Sequence, residues 1–232
     1  MTMSLPVVLD PSPDTTVQSM LRSPKLPLYV QQFQSLLEAE GEKRAYFYEE
    51  ITERQKAEFI NGEIIVHSPV LLRHLISSSN LLSLLKAFVS KYQLGMIGYE
   101  KMLIALTRND YEPDICFFTQ ARAEHFTPDQ MKFPAPDFIV EVLSPSTEKY
   151  DRGIKLEDYA LHGVREYWIV DPDKETLEQY LLQQETQTFE LVIKINSGTV
   201  TSQIISGFTI PVRAIFEEPI HWQVLQEIVG KS

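Results

Sequence analysis

The segment PDFIVEVLSP, residues 136–145, limits the possible folds more than any other part of the chain. Both alternating faces of the run are apolar, and Glu141 is the only charge between Phe138 and Leu143. A strand apolar on both sides belongs in the middle of a sheet that is covered above and below. The carboxylate on it then needs a partner, because an unpaired buried charge is expensive. It must meet a cation, accept hydrogen bonds or carry a proton, and a buried salt bridge is the bland way to satisfy it. By the two-residue strand period Asp137, Ile139, Glu141 and Leu143 share a face, which puts Asp137 near the strand start on Glu141's side. A second run, YEPDICFF, has the same form: Asp114 follows a proline and opens an apolar stretch. Taken alone, Asp114 reads first as a turn residue at a strand start, since Pro-Asp is a common loop pair.

The rest of the chain supplies the layers such a strand needs. At 232 residues and 44% hydrophobic content it can bury a large core as one domain, residues 28–232, behind a flexible proline-rich leader, extended or disordered, residues 1–27. A short helix from Leu28 should end at Gly41. Asn61-Gly62 between the apolar runs AEFI and EIIV predicts a hairpin, since both central residues of that turn need positive φ. Helical spacing covers 71–92 and about 147–162, the latter ending at Gly163. Strands are expected near 96–99, 101–106, 114–118, 137–143 and 166–170, then a meander at 176–182, 189–195 and 199–205 and a helical tail after Pro219. The class is α/β.

Some functions are disfavoured at once. No apolar run is long enough for a membrane helix and the N-terminus lacks a signal-peptide pattern, so a cytoplasmic protein is expected. Cys116, the only cysteine, sits in the run ICFF and reads as a buried hydrophobe. The balance of 21 basic against 32 acidic residues opposes loose adhesion to nucleic acid, so such a partner needs a local basic surface. Lys149, Arg152, Lys155 and Arg165 give one neighbourhood that character, or are ordinary solvated charges. Asp151, Lys155 and Tyr159 share one helix face. They form either a surface ion pair or, if the helix packs back on its preceding strand, a group aimed at the carboxylates.

The series AEFINGEI, SPVLLRH, PDICFF, PDFIVEVLSPST and DRGIKLEDYALHGVREYWIVDP resembles the Uma2 family of restriction endonucleases (DUF820), over roughly residues 45–210. The resemblance implies the PD-(D/E)XK nuclease fold, a mixed sheet flanked by helices, here with an added C-terminal β-meander. By position Asp114 resembles the Asp of the PD element and Glu141 the acidic residue of (D/E)XK. Leu143 stands where that motif has lysine, and the family pattern takes the lysine from the following helix, here Lys155. Glu58 and His74 also match family positions, and Glu58 could supply a further carboxylate. The implied chemistry is hydrolysis of a phosphodiester in nucleic acid, with DNA the expected substrate. Asp114 and Glu141, with the Val142 carbonyl, would hold Mg²⁺ or Mn²⁺. Lys149, Arg152 and Arg165 are the candidate nucleic-acid contacts, and a homodimer is expected by analogy with nucleases of this fold.

Two other classes compete. A catalytically silent module of the same fold, binding nucleic acid or a protein, would keep the carboxylates as core contacts, and the displaced lysine favours it. A two-carboxylate glycosidase needs aromatic platforms, which Trp168 and Trp222 do not offer around Asp114 and Glu141.

Overall fold

The computed structural model describes residues 15–51 and 55–230. Helices α1 (Thr15–Leu21) and α2 (Leu26–Glu50) precede a hairpin of β1 (Ala57–Ile60) and β2 (Glu63–Val66), followed by the long helix α3 (Leu72–Lys91). Next come β3 (Gly95–Tyr99), β4 (Leu103–Ala105), β5 (Asp110–Tyr111), β6 (Ile115–Thr119), the single turn α4 (Gln120–Ala123), β7 (Lys132–Phe133) and β8 (Phe138–Val142). Two short helices, α5 (Glu148–Asp151) and α6 (Ile154–Leu161), lead to β9 (Glu166–Asp171), β10 (Thr176–Gln183) and β11 (Thr188–Ile195). The chain closes with β12 (Thr199–Thr201), β13 (Thr209–Pro211), a 3-10 turn and α7 (Glu218–Gly230).

The main sheet has the order β11-β10-β9-β8-β6-β3. Strand β8 lies parallel to β9 and antiparallel to β6, so the sheet is mixed and β8 is internal to it. Alternate residues of β8 enter two different cores, which is why the run is apolar on both faces. Phe138, Val140 and Val142 join Ile115, Phe117, Trp168 and Val170 under α3 and α7. Ile139 joins Cys116, Phe118, Tyr167 and Ile169 under Tyr159 of α6. The pairing of β6 with β8 sets Ile115 against Val140. One more residue in that register puts Asp114 opposite Glu141.

A second sheet, β2-β1-β5-β4-β7, carries the hairpin against the body. Its turn has Asn61 at φ +50° and Gly62 at φ +81°, as the dipeptide requires. A side chain at Gly62 would also approach Glu40 Cγ to 2.7 Å.

Four expectations need correction. Helix α2 runs through Gly41 to Glu50. Tertiary anchors on both sides of Gly41 override its weak helix propensity: Glu40 holds Arg108, Arg44 holds Asp110, and Phe47 packs with Phe59 and Leu103. The segment read as an extended or disordered leader is helical at Thr15–Leu21, and α2 already begins at Leu26; the leader's residues 1–14 lie outside the described residues. The helix expected over 147–162 is divided at Arg152-Gly153, where Gly153 takes φ −113° and ψ −107°. Finally, β12 leaves the meander and forms its own hairpin with β13. The buried Glu166 carboxylate captures the following loop, accepting from Ser202 Oγ and from the amides of Gln203 and Ile204.

Candidate active site

Six elements converge on the edge where Asp114 and Glu141 meet. Asp114 enters β6 and Glu141 lies within β8; their backbones interlock, the Val142 amide donating to Asp114 Oδ2 at 2.8 Å and the Asp114 amide reaching Glu141 Oε2 at 3.4 Å. Helix α6 crosses the Ile139 face of the sheet and brings in Lys155 and Tyr159, one turn apart. Lys155 Nζ stands 3.0 Å from Glu141 Oε1, 2.9 Å from Glu58 Oε1 of β1 and 3.0 Å from Asp151 Oδ1 of α5. At 1% exposure Lys155 is a buried hub, which rules out the solvent-exposed Asp151–Lys155 pair. Tyr159 donates from its hydroxyl to Glu141 Oε1 at 3.0 Å.

The other arm of the cluster surrounds Asp114. Lys56, just before β1, donates to Asp114 Oδ1 at 2.7 Å, and His74 of α3 places Nε2 3.5 Å from Asp114 Oδ2. Glu58 is held further by the Glu112 amide at 3.0 Å and by His67 at 3.1 Å. A cavity of about 340 Å³ opens onto Asp114, Glu141, Asp151, Lys155, Lys56 and both histidines. A neighbouring cavity of about 180 Å³ shares His74 and Ser144 with it and runs toward Asp171 and Lys174.

Burial and charge divide the four carboxylates into two kinds. Burial would raise Glu58, but Lys155 and His67 outweigh it and hold the carboxyl down to about 2. Burial is likewise overcome at Asp114, where Lys56 and His74 hold the group well below the usual carboxylate range. At Glu141 burial wins: Lys155 opposes it, while Asp151 and Asp114 add to it, and the carboxyl is pushed up to about 8. Asp151 is also raised, by burial first. Lys155 sits well above its ordinary value because three carboxylates outweigh its own desolvation. Without a further cation the cluster therefore has more carboxylates than positive charge, and Glu141 is the carboxyl that burial and its acidic neighbours make easiest to protonate.

The remaining candidates lie elsewhere. Asp137 shares Glu141's face but stands four residues back along the strand, roughly 13 Å at strand rise. There it accepts from the Thr119 amide and pairs with Arg122 and Arg165. Arg165 is thus tied to that far end. Arg152 is held bidentately by Glu178 and also by Glu148, and Lys149 lies over the Tyr150 ring. Trp168 is fully buried, as a core residue would be. Sequence reasoning missed Lys56, His67 and the contact of Tyr159 with Glu141. One signal was available: Lys56 and Glu58, two apart ahead of the Asn-Gly turn, fall on one face of an extended segment.

Comparison with known proteins bears on this site. The Uma2 family model, described as "Putative restriction endonuclease", matches residues 44–213, well over half of the chain. The chain belongs to the Uma2 family. An uncharacterized protein of Synechocystis sp. is 29% identical over 138 residues, covering 58% of this chain and 77% of its own length. A crystal structure described as "a putative nuclease belonging to DUF820" from Anabaena variabilis superposes with a TM-score of 0.63 at 21% identity. It covers 77% of this chain and 96% of the Anabaena chain, and at that identity it establishes the fold alone. The Uma2 domain, matched from residue 44, takes in β1, β6, β8, α5 and α6, and so every carboxylate of the cluster.

Proposed function

We propose that the protein is a metal-dependent endonuclease that hydrolyses phosphodiester bonds in nucleic acid, DNA in the first instance. One observation carries the reading: in a chain of a restriction-endonuclease-like family, Asp114 and Glu141 interlock across adjacent strands beside Lys155 and open onto one cavity. Its donor set suits Mg²⁺ or Mn²⁺, hard cations that take carboxylate and carbonyl oxygens and keep waters or phosphates as further ligands. Among the described residues no three acidic, histidine or cysteine side chains already form a metal-binding group. The fit therefore rests on the pair Asp114 and Glu141, completed by the Val142 carbonyl and by substrate. Burial and the neighbouring carboxylates disfavour the charged form of Glu141, and a divalent cation would favour it.

When bound, such an ion would neutralise charge on the phosphoryl group and acidify a water. The chain's own residues do the positioning. The Val142 amide orients Asp114, and Tyr159 and Lys155 orient Glu141 through Oε1. Glu58 and Asp151 hold the Lys155 ammonium against Glu141 at the cavity wall, where its charge offsets the surrounding carboxylates. A cytoplasmic location and a homodimer belong to the same reading. No described helix is long and apolar enough to cross a membrane. Support for self-association comes from α2, whose stripe at 40, 44 and 47 seals on the body and continues uncovered over Val30, Phe33 and Leu37.

The second reading is a catalytically silent module, favoured by the enclosure of Lys155 among three carboxylates. Duplex DNA, single-stranded DNA and RNA incubated with Mg²⁺ or Mn²⁺ separate the two. Cleavage should be lost in Asp114→Asn and Glu141→Gln and reduced in Lys155→Ala; cleavage that survives all three sinks the proposal.

A further inference from the structure

The cluster contains two lysines, and they are placed very differently. Lys155 is enclosed, with a carboxylate oxygen within 3.0 Å from each of three elements. Lys56 comes from the edge of β1, makes its 2.7 Å contact with Asp114, and keeps 20% of its side chain exposed along the cavity. Its backbone is anchored independently: the His67 amide donates to the Lys56 carbonyl and the adjoining Ala57 amide donates to Glu112. The side chain can therefore leave Asp114 without disturbing the strand.

The two oxygens of Asp114 are also unequal. Oδ2 accepts from the Val142 amide and faces His74, so it is committed to the neighbouring strand and to α3. Oδ1, the oxygen held by Lys56, is the one left to offer a cation arriving through the cavity. An ammonium on a flexible four-carbon stem is a compact point charge, and it occupies the position at Oδ1 that such a cation needs.

We infer that Lys56 is a tethered competitor of the divalent ion. Its ammonium neutralises Asp114 while the site lacks metal and swings into the cavity when metal binds. The inference rests on the metal-site reading above. It makes Lys56 a positioning residue that sets metal affinity, whereas Lys155 stays in place in both states.

The test is calorimetric titration of Mn²⁺ into the full-length protein and its Lys56→Met and Lys56→Arg variants, with Glu141→Gln to show where the ion binds. Methionine keeps the apolar stem and removes the charge. The Mn²⁺ dissociation constant should fall about tenfold or more in Lys56→Met, the worth of one hydrogen bond to a charged group. It should rise several-fold in Lys56→Arg, whose fork holds a carboxylate through two bonds. In melting curves Lys56→Met should start below the wild type without metal and recover with millimolar Mn²⁺. Unchanged or weaker Mn²⁺ affinity in Lys56→Met, with normal binding by the wild type, overturns the competitor role and leaves the metal site standing. Should Lys56→Met not fold, Lys56→Arg decides: binding as tight as wild type or tighter overturns the role. Absence of Mn²⁺ binding in wild type and variants alike overturns both readings.

Discussion

Replacing Lys155 with methionine removes the one charge that three carboxylates share, and the cost can be worked from the structure. Of the three, only Glu58 is strongly stabilised in its ionised form, held at about 2 against an ordinary 4.5 by Lys155 and His67 acting against burial. That displacement corresponds to about 3 kcal/mol. Glu141 and Asp151 are raised, so they answer the loss of Lys155 by taking up protons and add little. The figure lies at the lower edge of the roughly 3–5 kcal/mol typical for removing one partner of a buried pair. Against a whole stability of about 5–15 kcal/mol the variant should still fold. The pH dependence follows from the direction of the shift. A carboxyl depressed in the folded state stabilises fully above its unfolded value, and that contribution is lost as pH falls from about 4.5 toward 2. Urea unfolding followed by circular dichroism, with chelator present, should show the full deficit at pH 7.5 and less than half of it near pH 3. An unchanged midpoint at pH 7.5, or an equal deficit at both pH values, would refute the hub.

Other outcomes follow from the same geometry. Asp137→Asn should cost about 1 kcal/mol through its amide and arginine partners and leave cleavage and Mn²⁺ binding at wild-type levels; loss of either would bring it back into the site. Gly62→Ala should destabilise by about 1 kcal/mol or more, because φ is +81° and a Cβ would press on Glu40; a neutral effect in thermal melts contradicts this. Phe33→Asp with Leu37→Asp should convert a dimer into a monomer in sedimentation, whereas a monomeric wild type removes α2 as the interface.

Much of the site was readable from local pattern. The doubly apolar run located β8 at the sheet interior, whereas PDICFF marked Asp114 only as a strand start or a turn, and the family resemblance paired it with Glu141. Asn61-Gly62 located the hairpin because the turn makes a demand on φ that few residue pairs meet. Periodicity gave Asp137 its face but not its distance from Glu141 along the strand, and distance decides membership of a site. Lys56 escaped notice because its role exists only once β1 is laid against β5 by Phe59 and Asp110, a contact between segments fifty residues apart. The same limit applies to Gly41, whose low helix propensity is overruled by Arg44 and Phe47 binding the body. It applies to 199–205 as well, where Glu166, a strand residue from another part of the chain, dictates the loop.

The claim that Asp114 and Glu141 form a working metal site is tested most directly by the Mn²⁺ dependence of plasmid nicking. The initial rate should rise with Mn²⁺ to saturation in the wild type, vanish with chelator, and fall at least about a hundredfold in Glu141→Gln, the order of loss expected when a key electrostatic contribution is removed. Equal rates in wild type and Glu141→Gln, or nicking that ignores the metal, would contradict it.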